Sequence, residues 1–323
     1  MKPLISIVIP TFNRYHLLGD TIDSIISQSY TNWECIVVDD GSKDYTSELM
    51  EFYCMRDDRI KFHHRPGDRA KGANSCRNYG YEISKGEYIQ WFDDDDIMLE
   101  DFIEKKLNLF EENLDFVICT GYFVDHNLKN RNFIPLNDKE NLFKNYALWK
   151  IKVLTPSVLF KRSFLEKKSL FKISQSRSQE RELFSRFFFQ TDSSCYQFLE
   201  EPLFMYRQHE GSKTFRDKKY NFNYYESHVF VYLENYRRSL TLEDARLSEE
   251  LYRWLIFFVF QAIKNKHTKN YRAIMICFRE TQKRKNLLKY FQVLWLVSFC
   301  WAISHPSYRL EKYLKNINLF NGK

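Results

Sequence analysis

The residues in this chain best suited to chemistry are four consecutive carboxylates, Asp93, Asp94, Asp95 and Asp96, at the end of a buried-type strand in the run WFDDDDIM. Adjacent carboxylates repel one another, and that cost falls when a divalent cation and cationic side chains sit beside them. Magnesium or manganese is the natural counter-ion. Strand ends in open α/β sheets are also where ligands bind, so chemistry and location agree. The plainer alternative is a solvated acidic turn that caps the helix after it.

Two further segments share this character. Asp39 and Asp40 end another strand in VVDDGSKD, with Gly41 and Ser42 supplying a turn. A carboxylate there can accept from a base N–H or a ribose hydroxyl, or simply form an Asx turn that starts a helix. In KGANSCRNYG, Arg77 and Asn78 fall on a helix just before the four-Asp strand, with Lys71 in the loop ahead. Arg and Lys side chains in these places suit a diphosphate, and Asn78 suits fixing a turn. The alternative is that they are ordinary surface cations.

The elements that must position these groups follow from hydrophobic spacing. Ile5 to Ile9 reads as a strand, and Leu17, Leu18, Ile22, Ile25 and Ile26 recur at helical spacing before a second strand at Trp33 to Val38. The alternation continues with a helix at Thr46 to Met55 and a strand at Ile60 to His63. A helix at Ala73 to Ser84, a strand at Tyr88 to Phe92, a helix at Leu99 to Glu112 and a strand at Phe116 to Tyr122 complete it. Strands alternating with covering helices predict an α/β fold whose sheet is mostly parallel and covered on both faces. From about Asn127 the pattern loosens, with a strand-like Ser157 to Phe160 and a helical stretch at Glu180 to Phe189. After about Phe215 the chain turns helical, aromatic and basic. The division expected is a catalytic domain over 1–215 and a helical C-terminal region over 216–323.

Composition bounds the partners. The chain has 323 residues and a formal charge of +7, too weak a balance to imply nucleic acid but favourable to an anionic ligand or membrane surface. Seven cysteines show no close Cys-x-x-Cys pairing, so neither a disulfide framework nor a zinc knuckle is expected, and a reducing cytoplasm is the default location. The run Leu4 to Ile9, broken by Pro10, reads as a buried strand rather than a signal peptide.

Taken together, SIVIPTFNR, VVDDGSKD, KGANSCRNYG and GEYIQWFDDDD have the order and spacing of the family 2 inverting glycosyltransferases, which this sequence resembles over roughly residues 4 to 215. The resemblance implies a GT-A type fold, a nucleotide-sugar donor and a hydroxyl acceptor, by family habit a surface polysaccharide or lipid-linked glycan. It implies that Pro10, Thr11, Phe12, Arg14, Asp39, Asp40, Lys71, Arg77 and Asp94 bind the donor. It also implies that Asp93 and Asp95 form the Asp-x-Asp metal motif, with His209 of YRQHEGS near the metal or diphosphate, unless that histidine is structural. The family's general base is usually the Asp of a Glu-Asp pair about six residues before an arginine. In SQERELFSR that position holds Glu180, with Gln179 before it and Arg186 as the arginine, and Glu182 stands as the alternative base. A catalytically inactive nucleotide- or glycan-binding scaffold is the competing reading. A sugar nucleotidyltransferase is disfavoured, since no Gly-rich phosphate loop follows the first strand.

In the tail, the apolar run FQVLWLVSFCWAI, Phe291 to Ile303, is far short of the roughly 20 residues that span a bilayer. Lys283, Arg284, Lys285 and Lys289 precede it, and Arg309, Lys312 and Lys315 follow. Residues 283–315 are therefore expected either to lie on an anionic membrane, at the inner face of the cell membrane, or to pack as a core helix. Glu250-Leu251-Tyr252-Arg253-Trp254 looks like the Gln-x-x-Arg-Trp motif of processive synthases with its first residue changed, and is read as coincidence.

Overall fold

The computed structural model describes residues 2–136, 141–209, 220–281, 287–317 and 319–320. The chain forms two compact units: residues 1–142, 150–175 and 182–216 in the first, and 143–149, 176–181 and 217–323 in the second. The boundary expected at 215/216 lies outside the described residues.

The first unit is an α/β sheet. Its strands are β1 (Ile5–Thr11), β2 (Trp33–Asp39), β3 (Ile60–His64), β4 (Tyr88–Trp91), β5 (Ile97–Met98), β6 (Phe116–Val124), β7 (Asn132–Phe133), β8 (Val158–Lys161) and β9 (Tyr196–Arg207). They lie in the order β3-β2-β1-β4-β8-β6-β9-β5, with β7 on β6. The first four are parallel: Ile5 pairs with Trp33 and with Tyr88, and Cys35 with Ile60. Every residue of β1 and β2 is buried, as a parallel strand covered on both faces requires. Beyond β4 the sheet is mixed, because β8 runs antiparallel to both β4 and β6 whereas β6 and β9 are parallel.

The covering helices form where the spacing predicts. Helix Tyr15–Ile26 buries Leu17, Leu18, Ile22 and Ile25. Helix Ala73–Ile83 sits so close to β1 that a Cβ on Gly80 would stand 2.3 Å from Val8 Cγ1, so only glycine lets the helix approach. The aromatic wealth of the chain is spent in part here. Phe116 packs against Phe160, Phe164, Phe188 and Tyr196, with ring centroids 5.5 to 5.6 Å apart.

Two elements differ from the sequence reading. The helix expected at Leu99 to Glu112 occupies only Phe102–Leu107. Sheet pairing claims its start, where the Leu99 amide donates to the Leu203 carbonyl, and tight i to i−3 bonds from Leu109 and Phe110 end it. The twelve-residue β9 lies in the stretch where the sequence pattern loosens and no strand is expected; Glu200-Glu201-Pro202 interrupts its alternation.

The second unit carries helices Phe222–Thr241, Ala245–Lys264, Thr268–Glu280, Leu287–Ala302 and Tyr308–Lys315. Side-chain caps start three of them: Asn221, Asp244 and Ser307 each accept from the backbone amide three residues on. Leu251, Tyr252, Leu255 and Val259 fill the core, and the Tyr252 hydroxyl donates to the Leu314 carbonyl at 3.0 Å. The apolar run falls on Leu287–Ala302. This helix buries Tyr290, Val293, Val297 and Cys300 and exposes Leu288, Phe291, Trp295 and Phe299. No helix among the described residues is long and apolar enough to cross a membrane. Lys283, Arg284 and Lys285 lie outside the described residues. Arg253 pairs with Glu249 and Glu250 on its own helix, an ordinary helix-surface arrangement for the Glu250 to Trp254 segment.

Candidate active site

Parallel order brings the C-terminal ends of β1, β2 and β4 to one edge of the first unit, where ligands bind in open α/β sheets. Pro10 and Thr11 end β1 and are buried, and Phe12 just beyond is half exposed. Thr11 pairs with Asp39, and the Asp40 amide donates to the Thr11 carbonyl at 2.9 Å.

The Asp39 carboxylate is turned into its own loop. It accepts from the amides of Gly41 and Ser42 at 3.1 and 3.0 Å and from the Ser42 hydroxyl at 2.5 Å, with His64 Nδ1 at 3.2 Å. The Asx-turn alternative left open by the sequence is thus present at Asp39. Asp40 is paired with Arg65, whose Nε donates at 2.5 Å. Sequence reasoning missed Arg65. The signal was available in principle, since Asp39 lies opposite His64 in the parallel register and the next residue on each strand then meets.

Past β4, the four carboxylates take four different sets of partners. Asp93 accepts from Arg77 Nη2 at 2.6 Å. Arg77 is placed by helix Ala73–Ile83, while Asn78 on the same helix grips the backbone of Phe171 through both ends of its amide, at 2.9 and 3.0 Å. Asp94 and Asp95 share Arg14, whose Nη1 donates to them at 2.8 and 2.5 Å. Asp95 also meets His209 Nε2 at 3.0 Å. Asp96 accepts the backbone amide of Arg207 at 3.0 Å, and its Oδ2 is buried with no hydrogen-bond partner among the described residues.

These environments separate the acids. Burial pushes Asp94 up to about 6, against the pull of Arg14. Burial pushes Asp95 up as well, but the bonds from His209 and Arg14 outweigh it and hold the carboxyl below its ordinary value. Asp96 is raised well above, by burial and then by the neighbouring Asp95 and Asp93. Burial disfavours the Arg14 guanidinium, yet the charges of Asp94 and Asp95 raise its pKa on balance. The net result is an ionised Asp95 between two cationic or polar nitrogens, flanked by two acids that hold protons more readily.

Arg14, Asp93, Asp94, Asp95, Arg77 and His209 therefore form one cluster in the first unit. Lys71 lies exposed in the loop before Gly72. Glu182 belongs to the first unit and is clamped by Arg186, whose Nε and Nη2 donate to its two oxygens at 3.0 and 2.9 Å. Glu180 belongs to the second unit, in the same segment as Ser178 and Arg181. Arg207 was not singled out by the sequence. Its Nη2 reaches Asp20 at 2.9 Å while its amide holds Asp96, fixing the end of β9 two residues before His209.

Carboxylates paired with arginines at the ends of parallel strands make a charged site at the ligand-binding edge of the sheet, and comparison with known proteins identifies the family. The sequence model of Glycosyl transferase family 2 matches residues 6–172, and the chain belongs to that family: it is a glycosyltransferase of GT-A type fold. It is similar to the glycosyltransferase GlyG of Streptococcus pneumoniae, 31% identical over 66% of this chain and 73% of GlyG. It is 32% identical to a Rickettsia typhi glycosyltransferase over 52% of this chain and 55% of that one. The putative teichuronic acid biosynthesis glycosyltransferase TuaG of Bacillus subtilis is 35% identical over 38% of this chain and 47% of its own length. Among solved structures, S. aureus TarS 1-349 in complex with UDP superposes with a TM-score of 0.69 at 16% identity, covering 95% of this chain and 91% of that one. The mannosyltransferase PcManGT of Pyrobaculum calidifontis, in complex with GDP-Man and Mn2+, gives 0.53 at 13% identity, over 98% and 84%.

Proposed function

We propose that the chain moves one sugar from a nucleotide-sugar donor to a hydroxyl acceptor with inversion, in the synthesis of a surface polysaccharide or lipid-linked glycan. The observation that carries this reading is the partly buried cluster of Asp93, Asp94 and Asp95 with Arg77, Arg14 and His209 at the ends of the parallel strands. TarS bound to UDP-GlcNAc and PcManGT bound to GDP-Man support a nucleotide-sugar donor, and TuaG a role in polysaccharide synthesis. The catalytic domain in this reading is 1–215, with 216–323 as a helical C-terminal region.

The donor set fits a divalent cation that arrives with the donor. Among the described residues no group of three or more His, Cys, Asp or Glu side chains stands ready to hold an ion by itself. Asp95 and His209 nevertheless offer an oxygen and a nitrogen that meet at 3.0 Å. Manganese or magnesium commonly takes one or two side chains and completes its shell with substrate phosphate oxygens. Asp95 and His209 would hold it, with Asp93 nearby. When bound, the ion supplies Lewis-acid stabilisation of the departing diphosphate.

The remaining work falls to this chain's own residues. Pro10, Thr11, Phe12, Asp39 and Asp40 border the base and ribose. Arg77, Arg14 and Lys71 set positive charge against the diphosphate, and Asp94 holds Arg14 in place. Glu180 takes the proton of the acceptor hydroxyl, whose oxygen attacks the anomeric carbon opposite the nucleotide as the bond to the diphosphate breaks. A peripheral contact of residues 283–315 with anionic lipid at the inner face of the cell membrane is part of this reading. The exposed Phe291, Trp295 and Phe299 support it, and salt-sensitive flotation with acidic vesicles tests it.

The deciding experiment measures nucleoside diphosphate binding by calorimetry with Mn2+ or excess chelator, beside transfer by Glu180→Gln. Chelator should weaken binding, as should Asp95→Ala. Glu180→Gln should keep donor affinity and lose transfer by about 10²-fold or more. Unchanged affinity in chelator removes the metal, and unchanged transfer removes Glu180 as the base.

A further inference from the structure

Within the second unit lies a buried cation that the reading above does not use. Arg181 is 7% exposed. Its guanidinium sits over the Trp149 ring at 4.6 Å and the Tyr232 ring at 5.2 Å. The nearest hydrogen-bonding contact is weak: Nη1 stands 3.5 Å from Nδ1 of His228. Burial, then the charges of Arg181 and Arg177, drive His228 down to about 3, so its imidazole is neutral. A neutral ring that accepts at Nδ1 carries its proton on Nε2, and that nitrogen donates to the Ser178 hydroxyl at 3.1 Å.

The other two nitrogens of Arg181, Nε and Nη2, are buried and have no hydrogen-bond partner among the described residues. These are the two whose N–H groups point the same way along one side of the guanidinium. They form the fork that engages both oxygens of a carboxylate or phosphate. A buried positive charge whose contacts, among the described residues, are aromatic rings and a neutral imidazole is destabilising unless an anion meets it. Cation–π contact with Trp149 and Tyr232 offsets part of that cost and fixes the plane of the fork. Such an unsatisfied group marks a place where a ligand, rather than the fold, supplies the missing partner.

We propose that Arg181 is a receptor for an oxyanion carried by the acceptor, a carboxylate or a phosphate bound side-on by Nε and Nη2. Arg181 follows Glu180 directly in the chain, so the assignment to the acceptor rests on Glu180 being the base. The acceptor class is then an acidic glycan or a phosphate-bearing one, with the anionic group close to the hydroxyl that attacks. The Trp149 and Tyr232 rings and His228 at Nη1 hold the guanidinium in place.

The test is thermal unfolding of the full chain and of Arg181→Met. Each is measured at constant ionic strength with sodium chloride, inorganic phosphate, glycerol phosphate, glucuronate or UDP. In chloride alone Arg181→Met should unfold at a higher temperature than the wild type, since it removes an unpaired buried charge and keeps apolar contact with the rings. Phosphate, glycerol phosphate or glucuronate should raise the wild-type midpoint by about 2 °C or more and leave that of Arg181→Met unmoved. A response to glucuronate alone assigns a carboxylate, and a response to the phosphates alone assigns a phosphate. Arg181→Lys, which keeps the charge without the fork, should fold and lose most of the response. It serves as the variant if Arg181→Met does not fold. Equal anion responses in the wild type and the variants overturn the proposal, as does an Arg181-dependent response confined to UDP. A lower midpoint for Arg181→Met with no anion response in the wild type also overturns it, because the cation is then structural. An Arg181-dependent response beside a Glu180→Gln enzyme that transfers normally keeps the anion site and removes only its link to the acceptor.

Discussion

Removing Arg14 should strengthen binding of a divalent cation in the absence of nucleotide. Its Nη1 donates to Asp94 Oδ1 and Asp95 Oδ2 at 2.8 and 2.5 Å, and its side chain is only 23% exposed. A cation that takes Asp95 as a ligand must displace this guanidinium or share an oxygen with it. Hydrogen bonds to charged groups contribute about 1.5–3 kcal/mol each. Giving up one of the two is a penalty of roughly that size on metal binding. At about 1.4 kcal/mol per decade, Arg14→Met should bind Mn2+ about 10- to 100-fold more tightly than the wild type without nucleotide. The gap should narrow when UDP is present, because the diphosphate offers the guanidinium another partner. Asp94 is already raised to about 6 with Arg14 beside it and climbs further once that charge is gone, so pH 8 is the appropriate condition. Free Mn2+ can be counted by electron paramagnetic resonance as the ion is titrated in. An Arg14→Met affinity within threefold of wild type at pH 8, both without UDP, would refute the reasoning.

Three further outcomes are expected. Glu182→Gln should leave transfer within a few-fold of wild type while lowering stability by about 1–3 kcal/mol in urea unfolding, because Glu182 is buried against Arg186 and leaves it short of a full charge partner; a large loss of transfer with unchanged stability would contradict this. Gly80→Ala should destabilise by about 1–3 kcal/mol despite alanine's better helix propensity, since its Cβ meets the stiff Val8 side chain, and a neutral or stabilising result would show that the helix can move. Burial drives Lys106 down to about 8, although it donates to Gln90 Oε1 at 2.9 Å and to the Pro156 carbonyl at 2.8 Å. Between about pH 8 and 10.5 the unfolded chain holds this proton and the folded chain has released it, so the Lys106 contribution to stability rises with pH across that window and is least favourable below it. Lys106→Met should lack that rise, so the stability difference between wild type and variant should shift in favour of the wild type as pH climbs through the window, and parallel curves would refute it.

The parts of this fold legible in the sequence are those whose signals are local. The alternation of β-branched runs and helical spacing through residue 122 recovers β1 to β4 and β6, since each is a short strand-type run next to a segment of helical period. β9 escaped because its alternation is cut by Glu200-Glu201-Pro202. The structure absorbs that interruption as a shift of register, with Cys119 paired to Leu199 and Thr120 to Pro202. The same limit applies to the site. The acidic run and Arg77 declare themselves within one stretch of chain, whereas the partner of Arg14 is 80 residues away and that of His209 is 114 away. Nothing local distinguishes an arginine that will clamp a carboxylate from one that will face water. The turn at Asp39 shows the converse, because an Asx signature and a nucleotide-site signature are the same letters.

The hydrogen bond from the Arg207 amide to Asp96 has a consequence for how the protein becomes active. It ties the acidic strand end to a segment 111 residues later, and His209 follows two residues beyond. The stretch that matches the family ends at residue 172. A nascent chain of that length already contains every residue of the acidic run, yet lacks β9 and with it both the staple on Asp96 and the imidazole facing Asp95. The acidic run is thus tied down late, by a strand synthesised after that stretch, so a partly made chain carries the run without the imidazole that meets Asp95.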